Sequence, residues 1–327
     1  MARQLRTLSS AAALCATRSR ITVLTGAGIS TASGIPDYRG PDGVWTKDPK
    51  AERISTLDWY LHDAEVRALS WQSYLHSPAW GARPNAAHLA VTGLQRAGRL
   101  RACVTSNIDG LHTDAGTTDV LEVHGSGRRW RCQDCPATGD MRELLDRVRA
   151  GDPDPRCPDC GGIARAATIL FGELLDSRVI EAAADAAQDC DLFVAVGTSL
   201  TVHPAAGLLP LAFRSGAPAV IVNEQETAYD DLAAAVADVT AGVGADLVVE
   251  VVSPDDRQRD YVTKRLEYAK AGIPEYWIVN PLNDTITVLE LDGDAYAEHG
   301  VFHRGDRAVS KLLEDVRVSV DEVFDAR

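Results

Sequence analysis

The 327-residue chain contains no run of eighteen apolar residues, so nothing in it is expected to span a membrane as a helix. Positive charge is scarce: 33 Lys and Arg stand against 47 Asp and Glu, leaving a net charge of −14. That deficit argues against nucleic acid as a partner, because gripping a phosphate backbone needs a basic footprint. An acidic surface favours basic partners instead, such as lysine-rich protein segments. The chain also lacks an unbroken signal-type apolar core. Ser9 and Ser10 interrupt its alanine-rich start, which reads as a first amphipathic helix. Internal repeats and low-complexity linkers are missing as well. Nor do the seven cysteines pair off: Cys15, Cys103 and Cys190 stand outside any motif. An odd remainder suits a reducing compartment, and a cytoplasmic location is expected.

What is present is ordinary for a globular protein, with 45% hydrophobic and 24% charged residues. The length allows one sizeable core and a small extra domain. The other four cysteines form two Cys-x-x-Cys pairs, Cys132/Cys135 and Cys157/Cys160, with 21 residues between them. Each pair puts two thiolates on one tight turn, and two such turns can close a tetrahedron of sulfur around Zn²⁺. Two disulfides, or four separate core cysteines, are the alternatives. Turn residues inside the pairs (Gln133-Asp134 and Pro158-Asp159) and the following Gly161-Gly162 favour one structural zinc. Four thiolates would leave the ion no open position for water, so it would serve folding rather than chemistry.

Around this insertion, strands and helices alternate. Ile21 to Thr25, Arg101 to Thr105, Val120 to Val123, Leu192 to Val196 and Ala219 to Val222 read as strands. Helices are expected over about 56–75, 86–97, 177–188 and 204–213. The pattern specifies an α/β fold, a doubly wound parallel Rossmann-like sheet with a zinc-ribbon insertion at about 128–170. A change of register near residue 244 divides the chain into 1–244 and a small α+β segment, 245–327. The latter carries 18 acidic and 10 basic residues against 29 and 23 before it.

Gly26-Ala27-Gly28-Ile29-Ser30 closes the first strand and suits a backbone that approaches a pyrophosphate at a helix N-terminus. By itself it is a weak signal. The sixth position is Thr31 rather than Gly, and no acidic residue ends a second strand at the usual distance, which disfavours an ordinary dehydrogenase. His124 stands at a strand end before Gly125, facing the same prospective cleft; an imidazole there can take a hydroxyl proton near neutral pH.

Further along come Gly34-Ile-Pro-Asp-Tyr-Arg-Gly40, Thr105-Ser-Asn-Ile-Asp-Gly-Leu-His112 and Glu122-Val-His-Gly125. The cysteine ribbon follows, then Phe171-Gly-Glu173, Gly197-Thr-Ser199 and Val222-Asn-Glu224. This ordered set resembles the sirtuin family of NAD-dependent protein-lysine deacylases and covers about 1–244. The resemblance implies NAD⁺ as co-substrate and an acyl-lysine protein or peptide as substrate, meeting between a Rossmann-type domain and a zinc module. It implies that Gly26, Ala27 and Gly28 line the NAD phosphates. Ile35, Asp37, Arg39, Asn107, Ile108 and Asp109 would border the nicotinamide side, with Tyr38, Trp45 and Ser106 in the same cofactor site. Gly197, Thr198, Ser199, Asn223 and Glu224 would hold the pyrophosphate and adenosine end. Phe171-Gly-Glu173 would border an extended substrate strand. His124 would be the general base, with Asn107 as its catalytic companion, and His112 would make a structural hydrogen bond. Mono-ADP-ribosyl transfer to a protein is the rival activity; a zinc-ribbon nucleic-acid binder is a second alternative, opposed by the net acidity.

Three departures from the family pattern stand out. Ser106 occupies a position that is usually Gln, which predicts weaker NAD⁺ binding or a bridging water. Ala166 and Asp176 stand where prolines commonly bracket the Phe-Gly-Glu segment. Family members that prefer acidic acyl groups carry Tyr-x-x-Arg; here Tyr74 is followed by Ser77, with no arginine before Arg83. An acidic acyl chain would lack its charge partner, so deacetylation is the expected activity.

The tail resembles the carboxyl-terminal half of a bacterial family with a restriction-endonuclease-like PD-(D/E)xK core (Uma-type). Glu250 and Lys264 match that family's positions. Asp246 falls on the same strand face as Glu250 but not at the family's other metal-binding position. A remnant or docking module is expected rather than an active nuclease.

Overall fold

Strand β1 (Ile21–Thr25) is buried at all five positions, as an apolar run must be when helices cover both faces of a sheet. It is followed by β2 (Leu100–Thr105) and β3 (Leu121–Glu122). The chain then leaves the sheet through β4 (Gly125–Cys132), β5 (Thr138–Asp140) and β6 (Ala164–Thr168). It returns as β7 (Leu192–Val196), β8 (Ala219–Asn223) and β9 (Ala235–Asp238). The computed structural model describes residues 8–40, 43–47, 53–238, 247–252, 264–270, 273–293, 295–312 and 316–325.

The main sheet runs β3-β2-β1-β7-β8-β9, every pair parallel. Order therefore reverses beside β1: the chain winds outward one way through β2 and β3, and the other way from β7. The crevice beyond the carboxyl ends of β1 and β7 is where such sheets take ligands. Alternate residues feed two cores. Leu24, Phe193, Ala195 and Ile221 pack with helices Ser177–Gln188 and Leu208–Arg214. Val23, Leu192, Val194 and Val220 pack with Ala11 and Val91 of helices Leu8–Ala16 and Ala86–Arg96. Cys103 and Cys190 are free and buried in these cores, and burial pushes the Cys103 thiol up to about 12. No helix among the described residues is long and apolar enough to cross a membrane.

The helix expected over 56–75 is two helices, Leu57–His62 and Ala64–Leu75. Asp63 divides them because it is extended and its side chain accepts from Glu65 N (2.9 Å) and Val66 N (3.3 Å), capping the second. Asp176, at a position where the family commonly has proline, caps helix Ser177–Gln188 through Arg178 N (2.9 Å). The cysteine insertion is a three-stranded antiparallel sheet, β5-β4-β6, carrying an unanticipated helix, Met141–Arg149. Its Met141, Leu144, Leu145 and Val148 are buried at i, i+3, i+4 and i+7, a periodicity that was there to read.

The chain divides into two compact units, Met1–Asp238 and Val239–Arg327; the expected boundary at 244–245 lies outside the described residues. The second unit holds β10 (Leu247–Val251), β11 (Glu275–Asn280), β12 (Thr285–Asp292) and β13 (Ala295–Phe302) in that order. The first pair is parallel and the others antiparallel. A hairpin of β14 (Arg307–Val309) and β15 (Arg317–Ser319) and helices Lys264–Lys270 and Val320–Asp325 complete an α+β unit. Asp246 lies outside the described residues.

Candidate active-site cleft

The loops after β1 and β7 meet backbone to backbone. Gly26 N donates to Val196 O (3.0 Å) and Gly28 N to Gly197 O (2.8 Å). A Cβ on Gly26 would lie 2.7 Å from Gly197 O, and one on Gly28 2.8 Å from Gly197 Cα. Gly197 has φ +59, and a Cβ there would stand 2.2 Å from Ile29 N. These glycines are thus required before any ligand arrives, because they admit each other. From Ala27 the chain turns directly into a 3₁₀ helix, Ala27–Ser33, rather than an open loop.

Ser30, inside that helix, is fully buried and gathers the polar groups of the β2 loop. Its Oγ donates to Asp109 Oδ2 (2.7 Å), accepts from Asn107 Nδ2 (3.1 Å) and lies 3.4 Å from His88 Nε2. Asp109 Oδ1 accepts Leu111 N (2.9 Å). Ser30 and His88 were not among the expected site residues. Their signal lay in the sequence nonetheless: Ser30 in the first glycine loop, His88 three residues after the helix cap Asn85, to which its ring is bonded at 3.1 Å.

Three histidines crowd this end of the sheet, and their surroundings separate them. His112 is buried, with Nε2 2.9 Å from Thr25 Oγ1, and Thr25 in turn donates to Thr105 Oγ1 (2.8 Å). Burial, with His88 beside it, pushes its pKa down to about 4. The Thr25 contact is the hydrogen bond the sequence reading assigned to it. His88 is likewise lowered, chiefly by burial.

His124, after β3, is only partly buried; its Nδ1 lies 3.1 Å from Ser106 O. A carbonyl can only accept, so Nδ1 carries the proton and Nε2 is the basic nitrogen. Burial lowers its pKa, the Ser106 carbonyl opposes this, and Arg39 adds to the lowering. Ser106 is held by its own contacts: Oγ donates to Thr25 O (3.1 Å) and N to the same oxygen (3.0 Å). Nearby Glu122 has a pKa raised to about 7 by burial and by Asp109, against the lowering effect of Arg128.

A mostly apolar cavity of about 90 Å³ opens beside Ser30, Asn107 and Asp109. Ala27, Ile35, Pro36, Tyr38 and Ile108 line it with Ser30, Asn107 and Asp109; Tyr74, Ser77, Ala79, Trp80, Gly127 and Arg128 complete the wall. Tyr38, Trp45 and Phe171 form a tilted aromatic run beside it, with ring centroids 4.8 and 5.5 Å apart, and the Arg39 guanidinium lies 4.5 Å from the Trp45 ring. Asp37 Oδ1 accepts Gly40 N (2.9 Å). Spacing in the sequence left Tyr74 without a nearby arginine; the fold brings Arg128 to the same wall. That guanidinium is already committed to Asp114 Oδ2 (2.8 Å) and Asp109 O (2.8 Å).

At the β7 and β8 ends, Thr198 Oγ1 accepts Leu200 N (3.3 Å) and Ser199 Oγ pairs with Thr201 Oγ1 (2.9 Å). Asn223 Nδ2 donates to Gln225 O (2.8 Å), and Glu224 is exposed. All four sit at carboxyl ends of adjacent parallel strands, on the same side of the sheet as Gly26 and His124.

The four ribbon cysteines converge. Their sulfurs all lie within 4.8 Å of one another, with Cys132 Sγ 3.5 Å from Cys160 Sγ and Cys135 Sγ 3.7 Å from Cys157 Sγ. Such distances exclude disulfides, where sulfurs are about 2 Å apart. They match the edge of a tetrahedron with sulfurs about 2.3 Å from its centre. Backbone amides of Asp134 (3.3 Å) and Gly162 (3.4 Å) donate to Cys132 and Cys160 sulfurs, as suits thiolates. The donor set fits a structural zinc.

Known proteins resemble the chain in these regions. The Sir2 family model matches residues 26–204, and a second, Uma2 (“Putative restriction endonuclease”), matches 173–321. “NAD-dependent protein deacetylase 2” of Streptomyces coelicolor is 50% identical over 215 residues, spanning 65% of this chain and 89% of that protein. “NAD-dependent protein deacetylase 1” of Pyrobaculum aerophilum is 42% identical, over 68% and 86%. Among solved structures, “Sir2-p53 peptide-NAD+” superposes with TM-score 0.64 at 31% identity, covering 71% of this chain and 93% of that one. “Sir2 bound to acetylated peptide” gives 0.62 at 30%, with the same coverage.

Proposed function

Since this chain belongs to the Sir2 family, we propose that the cleft at the β1 and β7 ends is its active site, with His124 as general base. The protein is an NAD-dependent protein-lysine deacetylase: it consumes NAD⁺, an acyl-lysine side chain and one water and yields nicotinamide, free lysine and O-acyl-ADP-ribose. NAD⁺ supplies the electrophilic ribose carbon and the leaving group. The chain supplies a shaped, partly dry pocket and a base.

The observation that carries the reading is the environment of His124. Ser106 O fixes the proton on Nδ1, and a pKa held below the ordinary histidine value keeps Nε2 unprotonated at neutral pH. Such a nitrogen takes the proton of a ribose hydroxyl without prior deprotonation. The mostly apolar cavity, with Asn107 and Asp109 among its polar lining, suits a flat aromatic ring bearing a carboxamide. Ser30 holds both residues by hydrogen bonds, so they are oriented before ligand binding. Gly26, Ala27, Gly28, Gly197, Thr198, Ser199, Asn223 and Glu224 form the rim assigned to the phosphates and adenosine. Arg39, Tyr38 and Trp45 close the nicotinamide side with Ile35, Asp37 and Ile108.

We assign the chain to a bacterial cytoplasm. Its buried free thiols and four-thiolate cluster suit reducing surroundings. Acetyl is the favoured acyl group, since Arg128 is already paired and leaves no ready cation for an acidic acyl chain.

The test is incubation of wild type and His124→Ala with an acetyl-lysine peptide, with and without NAD⁺. Nicotinamide release coupled to deacetylation is expected from the wild type alone. Equal turnover by both proteins, turnover without NAD⁺, or ADP-ribosylated protein as the main product overturns the assignment.

A further inference from the structure

We propose that Arg165 is a positioning residue that transmits the geometry of the cysteine knuckle to the substrate-binding edge at Phe171-Gly172-Glu173. The proposal rests on the reading above that this edge borders the acyl-lysine peptide. Arg165 lies on β6 and is 1% exposed, yet each of its three guanidinium nitrogens has an acceptor. Nε donates to Gln133 Oε1 (2.9 Å), and Gln133 stands between Cys132 and Cys135. One terminal nitrogen donates to Thr168 O (2.6 Å) and Ala166 O (3.2 Å); the other donates to Glu173 Oε1 (2.5 Å).

Glu173 closes the circuit. Its second oxygen accepts Leu170 N (3.1 Å), while Arg131, paired with Arg165 across β4 and β6, also reaches Oε1. The carboxylate is thus turned inward, and residues 170–173 are folded around it. Phe171 is fixed from outside as well: its N donates to Ser55 O (2.8 Å), its O accepts Leu57 N (3.0 Å), and its ring packs on Trp45. A rigid fork therefore runs from knuckle to guanidinium to carboxylate to the edge, ending at an aromatic wall of the cleft.

A buried ion pair of this kind is weak evidence for stability, because desolvation offsets the attraction. It does fix register, since only a planar fork meets Gln133, two carbonyls and a carboxylate at once. Displacing the edge should weaken peptide binding and leave the NAD⁺ rim at β1, β7 and β8 untouched.

Three variants of the full chain test this: Arg165→Lys, Glu173→Gln and the milder Gln133→Ala, which removes only the knuckle-side acceptor. Zinc content, Kd for a fluorescent acetyl-lysine peptide, and KM for peptide and NAD⁺ are measured for each. Expected are one zinc per chain throughout, peptide Kd and KM raised about tenfold in the first two and less in the third, and NAD⁺ KM unchanged. Unaltered peptide Kd in Gln133→Ala and Glu173→Gln, or peptide and NAD⁺ constants rising together, overturns the coupling. Arg165→Lys losing zinc is decided by the other two, which keep the guanidinium. Peptide binding without turnover in the wild type rejects the catalytic assignment but leaves the coupling readable. No peptide binding by the wild type rejects both.

Discussion

Both units of this chain bring carboxylates and basic side chains together, and they do so to different ends. In the first, Ser30, Asn107 and Asp109 line an open cavity, and His124, after β3, keeps Nε2 without a partner among the described residues. In the second, Glu250 is closed on itself: Oε2 meets Lys264 Nζ at 2.7 Å and Oε1 accepts from Tyr268 OH. Glu275, also in the second unit, is fully buried and capped by the amides of Lys311 (2.7 Å) and Leu312 (2.8 Å). Reactive residue types make a site only where an atom is left over and space faces it. Otherwise they hold the fold.

Breaking the first cluster should have the largest effect. His124→Ala is expected to lower kcat by about a thousandfold, within the range for loss of a general base, with NAD⁺ binding and zinc content retained. The wild-type rate profile adds a sign: the neutral base is active, so activity is lost as pH falls through its pKa. Burial places that limb below the ordinary histidine value of about 6.5, which a kcat/KM titration would show.

Removing the metal should come next. Cys157→Ser or chelation is expected to cost folding of the β4–β6 module, read as lost zinc and a lowered thermal midpoint, with activity falling as a consequence. A variant that stays folded and loses only kcat would instead give the metal a chemical role.

His112 sharpens the comparison through stability. Its folded pKa of about 4 lies below the unfolded value, so its contribution is complete above about pH 6.5 and is lost as pH falls toward 4. Over that window the loss is on the order of 3 kcal/mol. Denaturant titrations at pH 7 and 4.5 should show it, and His112→Gln should flatten the difference.

Ser106→Gln should lower the KM for NAD⁺ a few-fold, as one added hydrogen bond of about 1 kcal/mol would. No change would mean that the Thr25 carbonyl, not the cofactor, governs that position. Glu250→Gln should change least: deacetylation unaltered, and no Mg²⁺-dependent DNA cleavage by the full chain before or after. Cleavage lost on substitution would place an active site in the second unit.

Much of this was open to reading in one dimension. The β-branched run at Ile21–Thr25, the helix at Ser177–Gln188 and the two Cys-x-x-Cys turns follow from periodicity and local chemistry. The break at Asp63 and the helix Met141–Arg149 were less evident, since one depends on a single cap and the other sits between two motifs that drew attention from it. Ser30, His88 and Arg128 were harder still. Each acts through a partner from another element: Ser30 on Asp109, His88 on Ser30, Arg128 on Asp114 and the Asp109 carbonyl.

By itself, the sequence determined the parallel α/β class, the thiolate cluster and the order of motifs that joins the chain to its family. Those depend on near neighbours and on spacing. Tertiary structure decided which groups are spent and which are free. It turned Glu173 inward onto Arg165, committed Arg128 to Asp114, held His112 on Thr25 and left His124 Nε2 without a partner among the described residues. Hydrogen-bond satisfaction is a property of the packed interior, where partners come from distant strands and burial sets the pKa.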